Sequence, residues 1–122
     1  SHNLFGGFKV QAKNEKAQKQ LMIDAKALQA HGCFALVLES VPSSIAAQIT
    51  KELNIAVIGI GAGLGVDGQV LVLQDLLGLN DQFRPKFVRR FAQFDQMTLE
   101  SLNSFHLAVN NQSFPSPTES YT

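Results

Sequence analysis

Glu39 directly follows five apolar residues, Phe34-Ala35-Leu36-Val37-Leu38, and closes them at the C-terminal end of a predicted strand. In barrels of parallel strands the active site lies at that end. A carboxyl group tuned upward by burial among apolar neighbours serves as a general acid or base near neutral pH. The plainer use of such a glutamate is a loop position, where it pairs with a surface lysine or caps the following helix. Position alone leaves both uses open.

A second group is Gly59-Ile60-Gly61-Ala62-Gly63-Leu64-Gly65. Within it, Gly63-Leu64-Gly65-Val66-Asp67-Gly68 formally matches G-x-G-x-x-G. A dinucleotide loop must open a helix whose N-terminal amides meet the pyrophosphate, whereas a strand-like run, 69–73, follows here. No G-x-x-x-x-G-K-[ST] occurs. We expect Gly59, Gly61 and Gly63 either to let the backbone approach a ligand or simply to turn the chain tightly. Asp67 and Asp75 flank the 69–73 run and suit capping or turn roles. His2, His31 and His106 lack the paired spacing of zinc ligands. Cys33 cannot form an internal disulfide and reads as a small buried apolar residue. Phe83, Phe87, Phe91 and Phe94 recur at helical spacing, which predicts core packing. Lys13, Lys16 and Lys19 read as a solvated helix face.

The elements that position these residues follow from punctuation and periodicity. Asn14 caps a predicted helix running to residue 30, with Ala17, Leu21, Ala25 and Leu28 on one face, and His31-Gly32 closes it. The 34–38 run lacks alternation, which suits a strand covered on both faces. Ser43 or Ser44 caps a second helix in which Ile45, Ile49 and Leu53 repeat every fourth residue. Residues 55–60 form the next buried strand, and strand, helix, strand with tight loops is a βαβ unit. The class is therefore α/β. Residues 69–73 suggest a third strand, although the link from Ile60 is shorter than the dozen or more residues of an ordinary parallel crossover. Pro85 fits the first turn of another helix with Phe87, Phe91 and Phe94 on its apolar side. Asp95 starts a last helix with Leu99, Leu102, Phe105 and Val109 toward the core.

Composition narrows the partners. In 122 residues, 45% are apolar and 16% charged, enough for a core and too few charges for a disordered segment. Ten Lys and Arg balance ten Asp and Glu, so no general field draws nucleic acid or an anionic membrane. The longest apolar runs fall far short of the ~20 residues of a membrane span. With one cysteine and no visible signal peptide, a cytoplasmic origin fits. An open three-stranded sheet would leave an edge exposed, and a (β/α)8 barrel of about 250 residues abolishes edges by closure. Residues 1–112 then read as about half of a single barrel domain and 113–122 as a polar Pro/Ser/Thr tail. The opening at Ser1 reads as the middle of a folded chain.

Five motifs then read together: Phe5-Gly6-Gly7-Phe8-Lys9-Val10-Gln11, Leu36-Val37-Leu38-Glu39-Ser40-Val41-Pro42, Ile58-Gly59-Ile60-Gly61-Ala62-Gly63, Asp67-Gly68-Gln69-Val70-Leu71-Val72 and Arg84-Pro85-Lys86-Phe87. In order and spacing they resemble the C-terminal half of the ketopantoate hydroxymethyltransferase family. The resemblance implies a TIM barrel of the phosphoenolpyruvate/pyruvate type. It implies transfer of a one-carbon unit from 5,10-methylenetetrahydrofolate to 3-methyl-2-oxobutanoate, giving 2-dehydropantoate on the way to pantothenate. It makes Glu39 the general base, has the 59–63 turn shape the pocket, and sets Lys9 toward substrate or folate. It implies Mg²⁺, with ligands in the N-terminal half, and a homo-oligomer, commonly a decamer. Gln74-Asp75 stands where the family often has a histidine before the aspartate, so no histidine role is carried over. Another Mg²⁺-dependent 2-oxo-acid lyase or mutase of the same superfamily, or a non-catalytic module, is the alternative. An isolated half is expected to be inactive.

Overall fold

The computed structural model describes residues 12–80 and 83–122. Residues 5–11, which include Lys9 and the first of the five motifs, lie outside the described residues. The described residues group into two compact units, one of 12–72 with 85–88, the other of 73–80, 83–84 and 89–122.

The first unit opens with helix α1, Glu15–Ala30. Asn14 is extended, and its Oδ1 accepts the Ala17 N–H at 2.8 Å, which satisfies one of the amides a helix start leaves over. The helix ends as its sequence predicts, with Gly32 at φ 94° and the Cys33 N–H donating to the Leu28 carbonyl at 3.2 Å. Cys33 itself is exposed rather than buried, because it lies in the turn beyond the helix and not on its core face.

Strand β1, Ala35–Glu39, helix α2, Ser43–Glu52, and strand β2, Ala56–Ile60, form the expected βαβ unit. The strands are parallel and in register from Ala35 opposite Ala56 to Glu39 opposite Ile60. The predicted serine cap is absent. Pro42 is the N-cap residue, no side chain caps it, and Ser43 is already helical. Ile45, Ala46 and Ile49 of α2 join Ala25, Leu38, Val41, Leu53, Val57 and Ala62 in one buried cluster. Full burial of an isoleucine such as Ile49 contributes roughly 1.5–3 kcal/mol.

Coverage of the sheet differs from the expectation. Side chains alternate across a strand, so Leu36, Leu38, Val57 and Gly59 share the face that packs into the core. On the opposite face Val37 is 59% exposed, and Ala56 and Glu39 are exposed as well. An unalternating apolar run signals two covered faces, and the described residues cover only one.

Strand β3 is Gly68–Gln69 alone, parallel to β2, with Ile58 opposite Gly68. The predicted strand over 69–73 therefore ends early. After Val70 donates to the Gly59 carbonyl at 3.0 Å the chain leaves the sheet. Residues 61–67 connect β2 to β3 without a helix. Asp67 anchors this link, since its N–H donates to the Val57 carbonyl at 2.9 Å and its Oδ2 accepts the Val57 N–H at 2.8 Å. The carboxylate thus takes the place of a strand carbonyl beside a fully buried residue. Asp67→Ala is expected to leave the Val57 amide without its partner and cost about 1–3 kcal/mol, and Asp67→Asn, which keeps an oxygen, to cost less. Urea unfolding of the complete protein measures both.

The two helices of the first unit are tied by an ion pair, Lys26 Nζ to Glu52 Oε2 at 2.5 Å, with Gln48 donating to Glu52 Oε1 at 3.3 Å. The Lys26 hydrogen bond, then that of Gln48, hold the Glu52 carboxyl below the usual glutamate range. A depressed folded-state value means stability that is present above the unfolded-state pKa and is lost as pH falls through the folded one. Stability is expected to decline on acidification below the ordinary glutamate range, and Glu52→Gln to remove that part of the decline. Urea midpoints measured against pH in the two proteins test this.

The second unit contains helices α3, Leu73–Leu77, and α4, Phe94–Asn110. The helix expected from Pro85 does not form. Val88 closes a turn on Pro85 at 3.0 Å, in the first unit, and the amides that follow go elsewhere. Phe91 N–H donates to the Leu76 carbonyl at 2.8 Å and Asp95 N–H to the Gly78 carbonyl at 2.9 Å. Arg90 adds bonds to the Asn80 carbonyl and to Asp95. With its amides so engaged, the segment has no i−4 ladder. Phe83 and Phe91 are exposed, contrary to the core role that their spacing predicts. The last helix forms as expected, but Leu99, Leu102, Phe105 and Val109 are 46–61% exposed, so none of the described residues covers their face. The tail is irregular apart from a short 3₁₀ turn, Pro117–Glu119, in which Glu119 accepts the Ser116 N–H at 2.8 Å.

Candidate functional site

Of the sequence-predicted residues, Glu39, Gly59, Gly61 and Gly63 lie at the C-terminal ends of β1 and β2 and in the loop that leaves β2, all within the first unit, whereas Lys9 is outside the described residues. Glu39 is the last residue of β1 and lies on the open face of the sheet with Val37. It is exposed in this chain, not buried, because nothing described covers that face. Among the described residues no side chain hydrogen-bonds to or ion-pairs with Glu39. Nor does it cap α2, which has no side-chain cap. Neither of the plainer uses of this glutamate is found.

Ser40, which sequence reasoning did not single out, fixes the end of the strand. Its N–H donates to the Ile60 carbonyl at 2.9 Å, and its φ is 54°. A serine in the left-handed region costs roughly 1–2 kcal/mol relative to ordinary backbone. The hydrogen bond to β2 and the burial of Val41, 5% exposed, oppose that cost. The outcome is a sharp turn immediately after Glu39, which leaves the carboxylate at the strand end while the chain drops into α2.

The three glycines separate by environment. Gly59 is inside β2, opposite Leu38 in register, and shares its covered face, so it is not on the face of Glu39. A methyl group there would lie 2.9 Å from Val66 Cγ2. Gly61 follows Ile60 directly at φ 65°, and a methyl group on it would lie 2.7 Å from Phe87 Cδ1. Gly63, at φ 82°, approaches Ser43, with only 2.5 Å between its virtual methyl and Ser43 Cβ. Packing within the chain therefore demands glycine at all three positions. The turn at Gly61 and Gly63 rims the strand ends next to Glu39. Phe87 belongs to this rim, and its helical spacing from Phe83 and Phe91 disguised that placement.

Other chemistry is sparse. Among the described residues no three of His, Cys, Asp and Glu gather in a way that could hold a metal ion. His31 is spent on its helix end, with Nδ1 2.7 Å from the Ala27 carbonyl, and His106 pairs with Asn110 at 3.0 Å. Shallow grooves run along α1, at Asn14, Lys16 and Ile23, and along α4, at Phe94, Met97 and Leu102. Neither contains Glu39. No described helix is long and apolar enough to cross a membrane.

A family model described as ketopantoate hydroxymethyltransferase matches residues 1–117. A 3-methyl-2-oxobutanoate hydroxymethyltransferase of Bdellovibrio bacteriovorus is 51% identical over 122 residues, which is all of this chain and 46% of that protein. The protein of the same name from Parabacteroides distasonis is 47% identical over 121 residues, covering 99% of this chain and 44% of its own length. That of Francisella tularensis subsp. novicida is 45% identical over 119 residues, 98% of this chain and 45% of that protein. The chain spans about half the length of the curated relatives it matches.

Proposed function

Because this chain belongs to the ketopantoate hydroxymethyltransferase family, we propose that the complete protein transfers a hydroxymethyl group from 5,10-methylenetetrahydrofolate to 3-methyl-2-oxobutanoate, with Glu39 as the general base. The product is 2-dehydropantoate, on the route to pantothenate, in the cytoplasm. In this reading residues 1–112 are about the C-terminal half of a single (β/α)8 barrel, and 113–122 are its tail. The parallel β1-β2-β3 order supports this, as does a sheet with one face packed on helices and the other open. The open face is where a closed barrel would place its interior. The uncovered apolar face of α4 supports assembly into a homo-oligomer such as a decamer.

The observation that carries the reading is a carboxylate at the C-terminal end of a parallel strand, on the open face, without a described side-chain partner. A new carbon–carbon bond next to a ketone requires loss of the C–H proton on the adjacent carbon. Glu39 takes that proton, the C–H electron pair enters the enolate, and the enolate carbon bonds to the one-carbon unit. Both C–N bonds that held that carbon break, water supplies the hydroxyl, and the two nitrogens of the departing tetrahydrofolate take the proton held by Glu39 and the remaining proton of the water. The left-handed Ser40 and its bond to Ile60 hold the carboxylate at the strand end, and Gly61 and Gly63 shape the adjoining rim. Lys9 would face substrate or folate. The family resemblance implies Mg²⁺, for which the described residues form no site. Its ligands would come from the family's N-terminal half, and when bound it would act as a Lewis acid toward the enolate.

Proton abstraction is testable apart from transfer. In D₂O, the complete protein supplied with Mg²⁺ is expected to exchange the C3 proton of 3-methyl-2-oxobutanoate in the absence of folate, seen as loss of the methine signal in proton NMR. No exchange above the protein-free rate, in a preparation that forms 2-dehydropantoate when folate is added, would remove Glu39 from the role of an independent base.

A further inference from the structure

Phe87 lies in a short segment, 85–88, that returns to the first unit after the chain has left it at Val72. The segment is a single turn, closed by Val88 N–H on the Pro85 carbonyl, and it has no helix or strand of its own to hold it. What it meets is Gly61. The ring atoms Cδ1 and Cγ and the Cβ of Phe87 stand 2.7, 2.8 and 3.2 Å from where a Gly61 methyl would be, so ring and backbone are in direct contact. Phe87 is half-buried. From Gly61 the path to the candidate base is short and made of stiff parts. Gly61 is bonded to Ile60, the Ile60 carbonyl accepts the Ser40 N–H at 2.9 Å, and Ser40 follows Glu39. Glu39 and Ile60 also face each other in register.

We propose that Phe87 is a positioning residue for Glu39: seated on Gly61, its ring fixes the end of β2 and, through the Ser40 to Ile60 hydrogen bond, the direction of the Glu39 carboxylate. The inference rests on the reading of Glu39 as base. Left-handed turns at Ser40 and Gly61 end both strands, so small backbone rotations there swing the strand ends and the carboxylate with them. A ring wedged against a residue without a side chain removes that freedom. No aliphatic side chain offers the same flat surface to the Gly61 backbone. Misplacement of a catalytic group by about 1 Å lowers rate far more than it lowers substrate binding.

The test uses the complete protein and three variants, Phe87→Leu, Phe87→Tyr and Glu39→Gln, each assayed for folding, kcat, KM for the keto acid, and C3 proton exchange in D₂O. Phe87→Leu keeps an apolar filler and is expected to fold. Its kcat and exchange rate should fall together by roughly tenfold, with KM changed by less than about threefold. Phe87→Tyr keeps the ring and should restore both rates to within about threefold of the original. A merely structural role would lower the thermal midpoint and leave kcat and exchange per folded molecule unchanged in Phe87→Leu, and that result overturns the inference. Failure to fold in Phe87→Leu with normal folding and normal rates in Phe87→Tyr, or loss of rate in both, also overturns it, since the ring would then serve the fold or its polar substitute the site. If Glu39→Gln retains exchange and turnover, the reading of the base fails first, and the Phe87 data are then judged without it.

Discussion

Glu39→Gln in the complete protein is expected to fold normally, bind the keto acid with ordinary affinity and turn over roughly 10²–10⁴ times more slowly, as loss of an acid–base group does. The substitution keeps size and shape and removes basicity. Folding should be indifferent to it because the carboxylate is exposed and has no side-chain partner among the described residues, so no ion pair or cap is broken. Substrate binding should be nearly unchanged because the proton is taken after binding. Steady-state kinetics with methylenetetrahydrofolate, together with calorimetric titration of the keto acid, separate the two quantities. Turnover near that of the unmodified protein would exclude Glu39 as the base, and weak binding with intact kcat would make it a binding group instead.

The second large effect is expected from the link between β2 and β3. Gly63→Ala meets two penalties at once, a left-handed backbone at φ 82° and a methyl group 2.5 Å from Ser43 Cβ. Overpacking costs about 1–3 kcal/mol and a non-glycine residue in the left-handed region adds roughly 1–2, so a loss of several kcal/mol is expected. Gly65→Ala meets only the second penalty, because its φ is not left-handed although its methyl would stand 2.5 Å from Ala47 Cβ. It should therefore cost less and be repaired in part by Ala47→Gly, whereas Ser43→Gly should repair Gly63→Ala incompletely. Denaturant midpoints of the four proteins and their pairs check this. Equal costs at 63 and 65 would contradict the assignment of strain to Gly63. By the same logic Gly61→Val, at φ 65° and against Phe87, is expected to damage folding as well as activity.

Elements whose local signals agreed with their tertiary setting were legible in the sequence. Asn14, Gly32 and the fourfold spacing of Ile45 and Ile49 define α1 and α2 through hydrogen bonds and burial that the structure contains. The strand before Glu39 was legible for the same reason, and with it the candidate base. Where the reading departed, a non-local hydrogen bond or a missing neighbour decided. The Gln69-Val70-Leu71-Val72-Leu73 run has strand composition, yet only its first residue has a paired place beside β2, and Leu73 begins α3. The phenylalanine run has helical spacing, yet Leu76 and Gly78 take the amides of Phe91 and Asp95. Exposure of Glu39, Val37 and the α4 leucines depends on what stands opposite them, which no periodicity along one chain encodes. The contact of Phe87 with Gly61 links positions 26 apart and has no local signal either.

The link from Ile60 to Gly68 also has a metrical property. Ser43 and Ala47 are four residues apart on α2, a rise of about 6 Å along the helix axis. Gly63 and Gly65 meet them in the same order and are two residues apart, a stretch of chain that spans at most about 7 Å. A two-residue period along the link is thus commensurate with one turn of the helix, like a rack against a pinion. Sliding the link by one residue would bring Leu64, 94% exposed, against small side chains and lift buried Ala62 out of place. The alternating glycines therefore disfavour a slipped seating, and a connection with no helix of its own takes its position from its neighbour's pitch.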